Sequence, residues 1–133
     1  MHKPLIVLLL LALPALMSAQ SLPGWLKGHW KGIGYQTDVD TTWMYRVSWF
    51  SGQGQPVVDY PLLKCSGHWA FRRREKDRLV FQEIVTQNPG YCTNRDWIYV
   101  RPAGPDKLRL EFAKEADPHT IIATATLSRH SMP

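Results

Sequence analysis

Glu83 is the residue whose position first asks for chemistry. It shares one face of the strand-like run Arg78 to Gln87 with Leu79, Phe81 and Val85. A carboxylate on a buried apolar face needs a partner. Two roles suit it: a polar anchor that orients a mostly apolar ligand in a pocket, or an internal contact that fixes strand register. Arg101, Arg46 and Arg72 would make that contact an ion pair, Tyr45 or Tyr99 a hydrogen bond. A second chemical feature is the run Arg72-Arg73-Arg74-Glu75-Lys76-Asp77-Arg78, with five positive and two negative side chains. Arg72, Arg73 and Arg74 suit an anionic glycan, a phosphate or lipid headgroups, at ~1 kcal/mol for each basic residue near such a surface. The plainer role is to solvate a turn and guard strand edges.

Enzyme chemistry has little support. His29, His68, His119 and His130 lie in no H-E-x-x-H spacing, and neither G-x-S-x-G nor a P-loop occurs. Asp38, Asp40, Asp59 and Glu83 are carboxylates that only the fold can pair. Cys65 and Cys92 have no second close pair, so the usual zinc spacing is missing. The reading is of a non-enzyme with no cofactor and no metal.

The cysteines take their meaning from the first segment. Residues 1–21 have a basic start (His2, Lys3), an apolar stretch from Leu5 to Leu13, Pro14, and a polar change at Ser18. That is the layout of a secretory signal peptide, cleaved after Ala19 or Ser21. The apolar run is short of the ~20 residues that span a bilayer, so the chain after cleavage is not membrane-spanning. A periplasmic or extracellular destination is oxidising, and Cys65 and Cys92 read as one disulfide. Its closed loop of 28 residues corresponds to ~3.6 kcal/mol in the chain-entropy model.

Residues 22–133 then form a single domain. Sixteen Lys and Arg against eleven Asp and Glu leave a net +5, and six Trp, five Tyr and four Phe supply a core. Eight strands are expected: Gly28 to Gln36, Thr42 to Phe50, Val57 to Tyr60, Gly67 to Arg73, Arg78 to Gln87, Arg95 to Arg101, Lys107 to Ala113 and Thr120 to Arg129. Period-two alternation puts Trp43, Tyr45, Val47 and Trp49 on one face, Trp97, Tyr99 and Arg101 on another, and Leu108, Leu110 and Phe112 on a third. The loop Ala116 to His119 has room for one helical turn. Short turns and no long helix predict an all-β antiparallel fold, closed as an eight-stranded up-and-down barrel, since closure removes the edges.

Gly28-His29-Trp30 on the first strand with Arg129 on the last resembles the arrangement of lipocalins and related calycin barrels. The resemblance implies that Trp30 closes one barrel end and Arg129 packs across it. A second stretch, Tyr60-Pro-Leu-Leu-Lys-Cys65-Ser-Gly67-His-Trp69, then Phe81-Gln-Glu83, then Cys92, is similar to a pattern of small exported bacterial domains. That resemblance implies the compartment and the disulfide, and carries no activity.

The function expected from these residues is binding of a small apolar or amphipathic molecule at the open end, by Tyr45, Trp49, Trp69, Phe81, Glu83, Trp97, Tyr99 and Arg101. The alternative is an interaction or inhibitor module facing an envelope protein, or an anionic surface through Arg72–Arg78. Nucleic acid is not expected as a partner, because the rings alternate on core faces instead of standing exposed to stack on bases.

Overall fold

The computed structural model describes residues 22–50 and 54–130. The expected signal peptide, residues 1–21, lies outside the described residues, as does part of the turn before Pro56. Eight strands follow a short 3-10 turn, Gly24–Leu26: β1 Gly28–Gln36, β2 Thr41–Trp49, β3 Val57–Tyr60, β4 Cys65–Arg74, β5 Leu79–Gln87, β6 Trp97–Pro102, β7 Lys107–Ala113 and β8 Ile121–His130. Each pairs antiparallel with the next, and β8 returns to β1 through eight residue pairs from His29–His130 to Gln36–Ala123. The sheet is therefore a closed barrel, consistent with a calycin-like fold. The loop expected to hold a helical turn forms hydrogen-bonded turns instead, with the Asp117 N–H donating to the Lys114 carbonyl at 3.0 Å.

Alternation decides what fills the interior. Trp30, Tyr45, Val47, Trp49, Trp69, Leu79, Phe81, Leu108, Leu110, Phe112 and Leu127 face inward and are buried. Gly67 sits at a β-bulge of β4, where a Cβ would meet the Ile84 carbonyl at 1.9 Å. No other residue fits there.

The end of the barrel that holds Gly28 and His130 is closed as the Trp30–Arg129 pair implied. Leu26, at the end of the 3-10 turn, is fully buried and its carbonyl accepts from Trp30 Nε1 at 2.8 Å. The Arg129 guanidinium stands 4.2 Å from the Trp30 ring centre. It also donates to the Trp25 carbonyl at 3.2 Å, to the Lys27 carbonyl, and to Asp106 at 3.1 Å. One cation thus covers an indole face and satisfies two carbonyls that the turn leaves open. Gly28 has φ +131°, which glycine alone adopts readily, and a Cβ there would lie 2.8 Å from Arg129 Nη1 and push the guanidinium aside.

One strand reverses the expected parity. In β6, Ile98 and Val100 point into the barrel opposite Phe81 and Leu79. Trp97, Tyr99 and Arg101 stand on the outer face instead. There Tyr99 joins a small satellite cluster with Val80 and Ala113, and its hydroxyl donates to the Pro118 carbonyl. Both faces of β6 are apolar, so period two fixed the strand but not its side; the folded-back 114–120 segment supplies the cover that makes outward rings tolerable.

Candidate functional site

Four polar groups make the middle of the barrel solid. Tyr45 and Tyr60 each donate a phenolic proton to one oxygen of Glu83, Tyr45 at 2.6 Å, and Trp69 Nε1 donates to the Tyr45 oxygen at 2.8 Å. The rings lock around this chain. Tyr45 lies 4.7 Å from Tyr60 and 6.2 Å from Trp69, and Trp69 lies 5.1 Å from Phe81, centre to centre. Glu83 is buried with no cation beside it among the described residues, so desolvation pushes its carboxyl upward against the pull of the three donors. Burial and the same carboxylate hold both phenols well above their ordinary range, and so neutral. The expected register contact with Tyr45 is present. Tyr60 completes it instead of Tyr99, and no arginine takes part: Arg101 pairs outside with Glu111 at 3.3 Å, and Arg46 with Asp59 at 2.5 Å.

Above this floor, at the end opposite Trp30, lies an open cavity of about 150 Å³. Trp43, Tyr60, Phe112 and Ile122 wall it, Leu63, Tyr91 and Thr93 form its rim, and Asp96 enters from the residue before β6. The Cys65–Cys92 disulfide, as expected, ties the rim segment to β4, with Asn88 Nδ2 donating to the Lys64 carbonyl at 2.8 Å as a second tie. The open space therefore sits beside the anticipated ring set. Tyr45, Trp69, Phe81 and Glu83 form the packed floor, Trp49 is buried in the core, and Trp97, Tyr99 and Arg101 are outside. The cavity residues Trp43, Tyr60, Asp96 and Phe112 lay outside the sequence reading's binding set. Asp96 shares parity with Ile98 and Val100, but the sequence does not say which side of β6 faces inward.

Asp96 is the distinctive group. The Glu83 N–H donates to the Asp96 carbonyl at 2.9 Å and the Arg95 N–H to the Glu83 carbonyl at 2.8 Å. These bonds place Asp96 across from Glu83, just past the last ladder pair Gln82–Trp97. Like charges directly opposite on one face destabilise a sheet. Glu83 has its phenols, while the Asp96 carboxylate forms no hydrogen bond or ion pair among the described residues. Burial, and then the Glu83 charge, raise its pKa to about 7. The folded pKa lies above the unfolded one, so the stability tied to Asp96 is fully present below about pH 4 and is lost as pH rises through about 7. Asp96→Asn is accordingly expected to stabilise the protein at pH 8, by about 1–2 kcal/mol once solvent at the mouth screens the charge. At pH 4 it should change little. Urea titrations of both proteins at the two pH values measure this; an equal effect at both would show that the Asp96 charge costs nothing.

The arginine run lies at the opposite, closed end and is largely spoken for. Arg72 donates twice to Gln82 Oε1, at 3.2 and 2.9 Å, while Arg73 and Arg78 both pair with Glu75, at 2.9 and 2.6 Å. Arg78 stands 4.0 Å from the centre of the Tyr99 ring, and Arg73 stands 5.9 Å from that of Trp97. Arg74 lines a shallow groove with Trp25 and Lys76. These cations fasten the β4–β5 turn to the outer rings of β6. Among the described residues no cluster of three His, Cys, Asp or Glu is arranged to hold a metal, and no helix is long and apolar enough to cross a membrane. No family model, curated protein or solved structure matches the chain, so its fold and its cavity have to be read on their own terms.

Proposed function

We propose that this protein is an exported binding protein whose open barrel end takes one small amphipathic molecule. The observation that carries the reading is the mouth cavity. Its walls are the rings of Trp43, Tyr60 and Phe112, and the carboxylate of its one charged wall group, Asp96, forms no hydrogen bond or ion pair among the described residues. A few polar groups set in a mostly apolar concavity are the usual composition of a ligand site. A volume of about 150 Å³ suits a single ring, since dry apolar cavities of about that size take up benzene. The disulfide and the leader-like first segment support the exported setting. The rigid floor below means that the ligand rests on the Tyr60–Glu83 pair and does not enter the barrel.

The test is a titration with one-ring probes of three charge types: benzylamine, benzyl alcohol and benzoate. The Trp43 indole N–H resonance reports on the mouth. Saturable binding of at least one probe is expected, weakened at least tenfold by Thr93→Trp at the rim or by Ala123→Leu in the wall, with resonances of the closed end unmoved. If no probe binds, or if both plugs leave binding intact, the mouth is not a ligand site. A second reading, docking of an envelope protein, is favoured by the exposed Leu62 (77%) and Tyr91 (73%) beside the same opening. It gains ground if Leu62→Ser and Tyr91→Ser abolish capture of such a partner while the probes fail.

A further inference from the structure

We infer that the mouth selects a small organic cation, an ammonium group carried on an apolar or aromatic body, with Asp96 as its counter-charge. This rests on the ligand reading above and names the chemistry the site prefers.

Three observations converge on it. The first is the facing pair of carboxylates. The backbone bonds of Glu83 to Arg95 and Asp96 set two acidic side chains opposite each other on the inward face. Such an arrangement is stabilised by hydrogen-bond donors, by positive charge or by protonation of one carboxyl, and above about pH 7 the last of these is lost. Tyr45 and Tyr60 supply donors to Glu83. Nothing described supplies one to Asp96. Lys114 attracts the Asp96 charge from a distance, while its ion pair is with Asp38 at 3.6 Å. The second is the wall. Trp43, Tyr60, Phe112 and Tyr91 present ring surface around the opening, and ring faces attract cations within about 6 Å. An anionic ligand would meet negative ring faces and the Asp96 carboxylate, with Trp43 Nε1 as the one buried donor in the wall without a partner among the described residues, and a neutral one would add no counter-charge to Asp96. The third is the contrast with the rest of the molecule. The chain carries a net +5, yet the connections at the mouth end set Asp38, Asp40, Asp96, Glu115 and Asp117 against Lys64, Arg95 and Lys114, while the Arg72–Arg78 run lies at the far end of the barrel. The mouth is thus a negative opening on a positive protein, which concentrates cations at one place and keeps anions toward the other.

The geometry also orders the bound molecule. The ammonium sits low beside Asp96, above the Tyr60–Glu83 contact, and the apolar body points up between Trp43 and Phe112 toward the Leu63 and Tyr91 rim. A primary ammonium would donate one hydrogen bond to Asp96. Its remaining donors reach the Tyr60 oxygen or water. A quaternary ammonium would rely on the rings and the charge alone.

The experiment compares benzylamine, which is protonated at pH 8, with benzyl alcohol and benzoate, by calorimetry on the purified protein and on Asp96→Asn. The expected order in the parent protein is benzylammonium at least tenfold tighter than benzyl alcohol, with benzoate weaker still. In Asp96→Asn the ammonium-to-alcohol ratio is expected to fall to within threefold of one. Asp96→Glu, which keeps the charge on a longer arm, should retain a ratio above that of Asp96→Asn. Should the parent bind ammonium and alcohol equally, or should the ratio survive Asp96→Asn, the cation preference is wrong while the ligand reading stands. Should none of the three probes bind, both fall together. A preference for benzoate would overturn the inference outright.

Discussion

Replacing Cys65 and Cys92 together by alanine is expected to lower the stability of this barrel by about 3–4 kcal/mol. The bridge closes a loop of 28 residues, and removing it returns to the unfolded chain the conformational freedom of that loop, ~3.6 kcal/mol in the chain-entropy model. The native state has little to offset this. Cys65 is fully buried in the core, so alanine there also leaves a small void. The segment from Asn88 to Asn94 keeps its other ties, among them the Tyr91 N–H to the Asn88 carbonyl at 3.0 Å and the Val85 N–H to Asn94 Oδ1 at 2.8 Å. The barrel should therefore still close while the rim loosens. Urea unfolding of the two forms measures the loss, and probe binding at the mouth should weaken in parallel because Tyr91 and Thr93 ride on the freed segment. A loss below about 1 kcal/mol would mean that those hydrogen bonds, and not the bridge, hold the rim.

Glu83→Ala is expected to cost about 3–5 kcal/mol, the largest effect of any single substitution considered. It removes the shared acceptor of two buried phenols, and each unsatisfied donor costs about 1–3 kcal/mol. It also opens a void among Tyr45, Trp69 and Phe81. Glu83→Gln separates the two roles of the carboxylate. The amide oxygen still accepts from one tyrosine, its NH₂ donates to the other tyrosine's oxygen, and the buried charge is gone. A cost of about 1 kcal/mol is expected at pH 8, and a larger one at pH 5. Burial raises the Glu83 pKa in the folded state, so the parent loses stability with rising pH and the amide does not. Denaturation at pH 5 and pH 8 checks the pair. Equal costs for Glu83→Ala and Glu83→Gln would show that charge, and not hydrogen-bond satisfaction, organises the floor.

The barrel was legible because most strands have one polar face. In β2 the sequence Trp43-Met44-Tyr45-Arg46-Val47-Ser48-Trp49 sorts itself, and the same holds for β7. Trp30 and Arg129 were legible as a pair because only closure brings the first and last strands together. The parity of β6 was not, because Trp97-Ile98-Tyr99-Val100 is apolar on both sides. Its outer rings depend on cover from Pro118, Arg73 and Arg78, which lie far away in sequence. The cavity was obscured for a related reason. Tyr45, Trp69 and Phe81 carry the strongest ring signal and so pack most completely, and space is left only where alternation ends. Tyr60 closes a four-residue strand and Asp96 precedes one. Neither has a run of neighbours long enough to announce its side.

The single pairing of distant strands, β1 with β8, has a kinetic meaning. Every other ladder joins neighbours in sequence and can form by local zippering, whereas this seam must wait until a meander of about 100 residues has curled round, at a loop-closure cost that no hairpin bears. Trp30 and Arg129 sit on that seam and work as its latch. Those amide protons of β1 that bond across to β8 thus report the last step of assembly and the first step of its undoing.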